Sequence, residues 1–117
     1  MEKGPKFNKS GLCYLTDKDG DKVVLHKGLW SKKISRPERN FLEYNYSKIQ
    51  DTVKNPDYIR KSKQSNDVKI YYKKFKNIYL LPKIQVPFVQ GYIVVIIGEQ
   101  NNKKFVKTIY STNRLKK

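Results

Sequence analysis

Gly91-Tyr92-Ile93-Val94-Val95-Ile96-Ile97 is followed by Gly98-Glu99-Gln100-Asn101-Asn102, and then by Lys103-Lys104-Phe105-Val106-Lys107-Thr108-Ile109-Tyr110. The first run is apolar and rich in β-branched residues, which suits a central strand covered on both faces. The middle five residues are turn formers. The third run alternates. Lys104, Val106, Thr108 and Tyr110 are expected to point one way, and Phe105, Lys107 and Ile109 the other. The chain thus closes on a buried strand, a hairpin and a partner strand carrying polar groups in file.

Outward from there, Val68 to Phe75 alternates too, with Val68, Ile70 and Tyr72 on one face and Lys69, Tyr71 and Lys73 on the other. Lys76-Asn77 reads as a turn and Ile78 to Leu81 as a second short strand. Pro82 and Pro87 exclude Lys83 to Gln90 from a central strand, so that stretch reads as an apolar loop over the sheet or its edge. Earlier, Ser35-Arg36-Pro37-Glu38 is a capping box with proline in the first turn. Leu42, Tyr46, Ile49 and Val53 fall on one helical stripe with Phe41 beside it. The spacing predicts a helix to about Val53, ended by Asn55-Pro56. Pro56 to Ile59 reads as one more helical turn and Arg60 to Asp67 as a basic loop. Asp19-Gly20, between Leu12–Thr16 and Lys22–His26, signals a hairpin. The acids around it do not space as a calcium loop, because the glycine precedes the third acid and no glutamate closes the loop. Residues 1–11 read as a loose tail and 111–117 as a basic one. The expected fold is α+β, one domain over 1–117: an N-terminal β-hairpin and one or two helices packed on a four-stranded antiparallel sheet.

Lys and Arg number 26 against 10 Asp and Glu, a formal net charge of +16. An A/T-rich genome would favour Lys, Asn, Ile and Tyr, but that bias does not explain the shortage of acids. Charge of this size repels itself in the compact state, which points to an anionic partner. Nucleic acid comes first, since its phosphates take Lys and Arg and release counterions. An anionic membrane comes second, but no apolar window is long enough to span a bilayer, and Met1 to Lys6 lacks the apolar core of a signal peptide. Cys13 is the one cysteine, so no disulfide framework or thiolate metal site is expected, and the reading is cytoplasmic.

The chemistry open to these residues is basic and hydroxyl chemistry. There is no Gly-rich phosphate loop, no His-Glu-x-x-His, and His26 alone cannot build a histidine metal site. RNA allows a cut without metal or cofactor, in which the 2′-OH attacks the neighbouring phosphate. That needs a base, an acid and cations around the phosphorane. Thr108 and Tyr110, expected to face Lys73 or Tyr71 across the sheet, have those ingredients. Arg36 with Lys33 and Arg39 would add charge at a helix start. Lys107 would hold phosphate, and His26, at a strand end, is the candidate base. Each also has a plain structural role. Thr and Tyr are ordinary strand residues, Lys73 is the kind of lysine that guards an edge, and Trp30 is a core residue.

Trp30, Lys33-Ile34, Arg36-Pro37-Glu38, Asn55-Pro56-Asp57-Tyr58-Ile59, Tyr71-Tyr72-Lys73, the run Tyr92 to Ile97 and Thr108-Ile109-Tyr110 follow one another in order. This order resembles the phage-associated branch of the barnase–EndoU–colicin–RelE-like nucleases over about residues 22–112. Lys33 stands where those relatives carry histidine, and Arg-His-Pro-Glu is shortened to Arg36-Pro37-Glu38. The resemblance implies a toxin-like, metal-independent endoribonuclease acting on tRNA or ribosome-bound mRNA, with lysine and arginine serving as they do in RelE-like toxins. It also implies an acidic antitoxin or immunity protein as partner. Two other readings stay open. One is a non-catalytic nucleic-acid-binding protein on the same fold, stacking bases on Tyr71 and Tyr110. The other is a phage-type inhibitor whose basic surface meets an acidic protein.

Overall fold

The computed structural model describes residues 4–34, 40–79 and 88–112. In order they form β1 (Leu12–Thr16), β2 (Lys22–His26), α1 (Lys27–Ile34), a 3₁₀ segment (Asn40–Asn45), α2 (Tyr46–Lys54), β3 (Tyr58–Lys61), β4 (Val68–Tyr79), β5 (Phe88–Gln100) and β6 (Lys103–Thr112). The fold is α+β, but the sheet is larger than expected. All six strands join one sheet in the order β1-β2-β6-β5-β4-β3. The N-terminal hairpin is part of it, because β2 lies parallel to β6, with Val23 beside Lys104 and Val24 beside Phe105. The other neighbours are antiparallel, so the sheet is mixed rather than antiparallel. A free two-stranded hairpin is marginal in water. Joining β6 lets Val23 and Leu25 bury completely.

β5 is the axis of the sheet. Val94 and Val95 are both 0% exposed, and adjacent strand residues leave opposite faces, so both faces at this point are covered. The hairpin to β6 turns at Asn101 and Asn102, whose φ values of 53° and 63° are those of a two-residue primed turn. β6 departs from simple alternation. Ile97 pairs with Val106 but Ile96 pairs with Thr108, leaving Lys107 as a bulge. The extra residue inverts the pattern, so Val106 and Ile109 both enter the main core. Thr108 and Tyr110 therefore leave the face opposite Val106, and Lys107 shares theirs.

The main core lies between one sheet face and the helices. Leu42, Tyr46, Ile49 and Val53 are buried there as the stripe predicts, with Trp30 and strand residues from Leu15 to Ile109. The Trp30 ring meets Tyr46 edge-on at 5.9 Å, and Tyr46 Oη and Cys13 Sγ lie 3.2 Å apart, tying α2 to β1. The helix expected from Ser35 to about Val53 is not continuous: Asn40–Asn45 is 3₁₀ and α2 begins only at Tyr46, while a separate α1 precedes them from Lys27, and the expected capping box at Ser35 to Glu38 lies outside the described residues. Two further expectations change. Tyr58 and Ile59 belong to an edge strand rather than a helical turn, since each pairs with β4. Lys76-Asn77 is no turn, because β4 runs through it with a register shift between Phe75 and Ile78. The tail is also tied down from Phe7, which packs on the core, and the Asn8 side chain accepts from the N–H groups of Ser10 and Leu12.

The acids of the first hairpin have an internal role. Asp17 is 1% exposed. Its carboxylate accepts from Lys104 Nζ on β6 and from the N–H groups of Asp19 and Asp21. Lys104 also reaches Asp21 at 3.0 Å. Although Asp17, Asp19 and Asp21 converge, the cation between Asp17 and Asp21 is an ammonium of the same chain. Burial works against ionised Asp17, but the Lys104 hydrogen bond and those from Asp21 and Asp19 overcome it, so its carboxyl titrates below the ordinary 3.8. Burial likewise works against charged Lys104, and Asp17 and Asp21 overcome it, pushing its ammonium above the ordinary 10.5.

The signs follow from linkage. Depressed Asp17 stabilises the fold above pH about 3.8 and loses that contribution as pH falls through its lower folded value. Elevated Lys104 stabilises below pH about 10.5 and loses its contribution as pH rises through its higher folded value. Chemical denaturation of Lys104→Met should show a loss of about 3–5 kcal/mol at neutral pH, because Asp17 keeps a buried charge without its partner. The loss should shrink in acid as Asp17 takes up a proton. An equal loss at all pH values would mean that the lysine acts only through packing.

Candidate nucleic-acid interface

The helices all pack on one face of the sheet, through the main core. Among the described residues, strand residues alone build the smaller cluster on the other face: Ile70, Tyr72 and Val94, bordered by Tyr92, Ile96 and Tyr110. On this face, helix-free among the described residues, Tyr72 and Val94 are buried, so the cluster is a second small core. Tyr72 lies 6.0 Å from the Tyr58 ring and 6.4 Å from that of Tyr92.

Towards β1 and β2 the same face opens into a groove of about 1010 Å³. Tyr14, Lys22, Val24, His26, Lys103 and Phe105 line it, together with the acids Asp21 and Glu99. Strand alternation explains the set. Leu15, Val23 and Leu25 enter the core, so Tyr14, Val24 and His26 must leave the other side. Tyr14 is 48% exposed, and Lys22 Nζ lies 5.5 Å from its ring centroid, within cation–π range. Phe105 lies against Gly98. A Cβ added there would stand 2.8 Å from Phe105 Cζ and 3.1 Å from Lys107 Cδ. This close approach is what a strand glycine permits, and it places Phe105 and Lys107 on the groove's side of the sheet.

The expected site residues divide between the two faces. His26, Lys107, Thr108 and Tyr110 share the helix-free face, with Thr108 opposite Ile96 and Tyr110 opposite Val94. Lys73 and Tyr71 do not face them. Lys73 Nζ donates to Asn55 O at 2.8 Å at the end of α2, with Asp57 and Asp51 at 3.6 and 3.9 Å. A helix end offers unpaired carbonyls, and a lysine is a natural partner for them. Tyr71 is 2% exposed in the main core, where burial, followed by the charge of Asp17, raises its phenol above the ordinary 10.0. It is no stacking platform. Lys33 sits in the last turn of α1, not at a helix start, where its charge suits the helix dipole. Arg36 and Arg39 lie outside the described residues.

Tyr14, Lys22 and Phe105 were not among the expected residues. Their signal was the two-residue period of Leu12–Thr16 and Lys22–His26, which assigns Tyr14 and Lys22 to the side away from Leu15 and Val23. Phe105 needs Gly98 as well, a relation between two strands that spacing along one strand does not express.

A double-mutant cycle tests the Gly98–Phe105 contact. Gly98→Ala should cost about 1–3 kcal/mol by overpacking. In a Phe105→Ala background most of that cost should vanish, giving a coupling energy above about 0.5 kcal/mol. Additive losses would place the ring elsewhere.

Comparison with protein-family models, with curated proteins and with solved structures yields no match for this chain.

Proposed function

We propose that the chain binds single-stranded nucleic acid, RNA foremost, on the helix-free face of its sheet. The observation that carries this reading is the groove in which Tyr14, Phe105, Lys22, Lys103 and His26 come together. Every base has a π-face, so aromatic rings on a flat sheet take successive bases with little regard to sequence. Lysines between the rings meet the phosphates. The net charge of +16 supplies long-range attraction. An acidic antitoxin or immunity protein would meet the same cations.

Metal-independent cleavage of the bound RNA is the second reading. It is favoured by the placement of His26, Lys107, Thr108 and Tyr110 on that one face. His26 would take the proton of the 2′-OH as its oxygen attacks phosphorus. Lys107 and Thr108 would steady the charge gathering on the phosphorane, and Tyr110 would give a proton to the departing 5′-oxygen. The products are a 2′,3′-cyclic phosphate and a 5′-hydroxyl. Lys73 has no part in this version.

Titration of a labelled oligouridylate in EDTA separates the readings. Binding should weaken with salt at a slope of about −3 to −5 in log K against log concentration, for about 5 to 7 phosphates on a single strand. Tyr14→Ala and Phe105→Ala should each cost about 1–3 kcal/mol of binding. Cyclic-phosphate ends that disappear in a Thr108→Ala, Tyr110→Phe double variant support cleavage, and intact RNA throughout supports binding alone. Salt-insensitive binding, or none, would contradict both.

A further inference from the structure

We infer a second nucleotide subsite at the far edge of the same face, where Arg60 takes a phosphate and Tyr58 stacks the adjoining base. The inference rests on the nucleic-acid reading above and extends it from the groove at β1 and β2 to β3. Arg60 stands opposite Ile70 in the sheet register, and Ile70 belongs to the helix-free cluster. Arg60 is half-buried. Its Nη2 donates to Tyr72 Oη over a long 3.4 Å, and its Nε is buried with no acceptor. None of the ion pairs among the described residues includes Arg60.

Among the described residues this sets Arg60 apart from the other half-buried cations. Lys73 has Asp51 and Asp57, and Lys104 has Asp17 and Asp21. Lys33 and Lys48 also have partners. A guanidinium that loses water needs acceptors in return, and among the described residues Arg60 has one distant tyrosine oxygen. An anion from outside the chain would complete it, and the planar fork of N–H groups suits phosphate in particular. Beside it, Tyr58 pairs across the sheet with Tyr72 and is 40% exposed. An exposed ring next to a phosphate-seeking fork complements one nucleotide, base and phosphate together. From β1 to β3 the sheet order leaves five strand spacings, roughly 24 Å at about 4.8 Å each. Only a strand of several nucleotides reaches both Tyr14 and Tyr58.

Fluorescence anisotropy with a labelled oligouridylate of about 10 nucleotides tests this on the full chain. Tyr58→Ala and Arg60→Gln should each weaken binding at least about fivefold. Arg60→Gln should also flatten the salt slope by about 0.7, while Tyr58→Ala leaves it unchanged. Arg60→Lys should keep the slope but not the full affinity. Thermal melts report whether each variant folds, and Tyr58→Ala, at an exposed ring, tests the subsite independently of Arg60. If Tyr58→Ala and the folded Arg60 variants bind as the natural chain does while Tyr14→Ala binds more weakly, the edge subsite is wrong and the groove reading stands. If the edge variants weaken binding and the Tyr14 and Phe105 variants do not, the subsite holds and the groove reading fails. No binding by the natural chain overturns both.

Discussion

Val94 and Val95 stand next to each other on β5, and both are wholly buried. Successive strand residues leave opposite faces, so the sheet needs cover on two sides. Among the described residues, helices lie on only one of them. Everything else in the architecture answers that constraint. Ile49 and Val53 of α2 join Val95 in the main core. Val94 is enclosed by Tyr72 and Ile70, with Tyr92, Ile96 and Tyr110 around them. Tyr72 is itself buried, so the aromatic surface this face exposes lies at Tyr14 and Tyr58, on either side of that cluster. In our proposal the bases stack on those two exposed rings and not on the cluster that encloses Val94.

The distribution of charge follows a similar division of labour. Acids are scarce in this chain, and several are committed to its own lysines. Asp17 and Asp21 hold Lys104, which joins the first hairpin to β6. Asp51 and Asp57 hold Lys73 beside the end of α2. On the opposite face, Lys22 lies over Tyr14 and Arg60 leans on Tyr72. A desolvated cation without a carboxylate is costly unless a ligand supplies the anion, so ion pairing inside the fold also sorts which cations are left for a partner.

Much of this was legible along single elements. The stripe Leu42, Tyr46, Ile49, Val53 and the double-sided burial of β5 both follow from short-range periodicity, and the Asn101-Asn102 turn follows from its residue types. What escaped depends on contacts between distant segments. The parallel pairing of β2 with β6 has no signature in either strand, yet it turns an isolated hairpin into part of the sheet. The bulge at Lys107 hides inside a run that alternates on paper. Missing it reverses the face assigned to Thr108 and Tyr110, and so the side chains they can meet. Lys73 looked like a cation for a ligand because nothing in its own strand reveals that Asn55 O and two aspartates surround it. Asp17 failed as a calcium ligand on spacing alone, but its true partner stands 87 residues away.

The central claim is that nucleic acid docks on the sheet face without helices. Ultraviolet cross-linking of the intact protein to oligouridylate, with the adducts located by mass spectrometry, tests it most directly. The account predicts adducts on rings of that face, first on the exposed Tyr14 and Tyr58 and then on half-buried Phe105. Adducts confined to the helical side, at Trp30, Tyr44 or Tyr46, would contradict it.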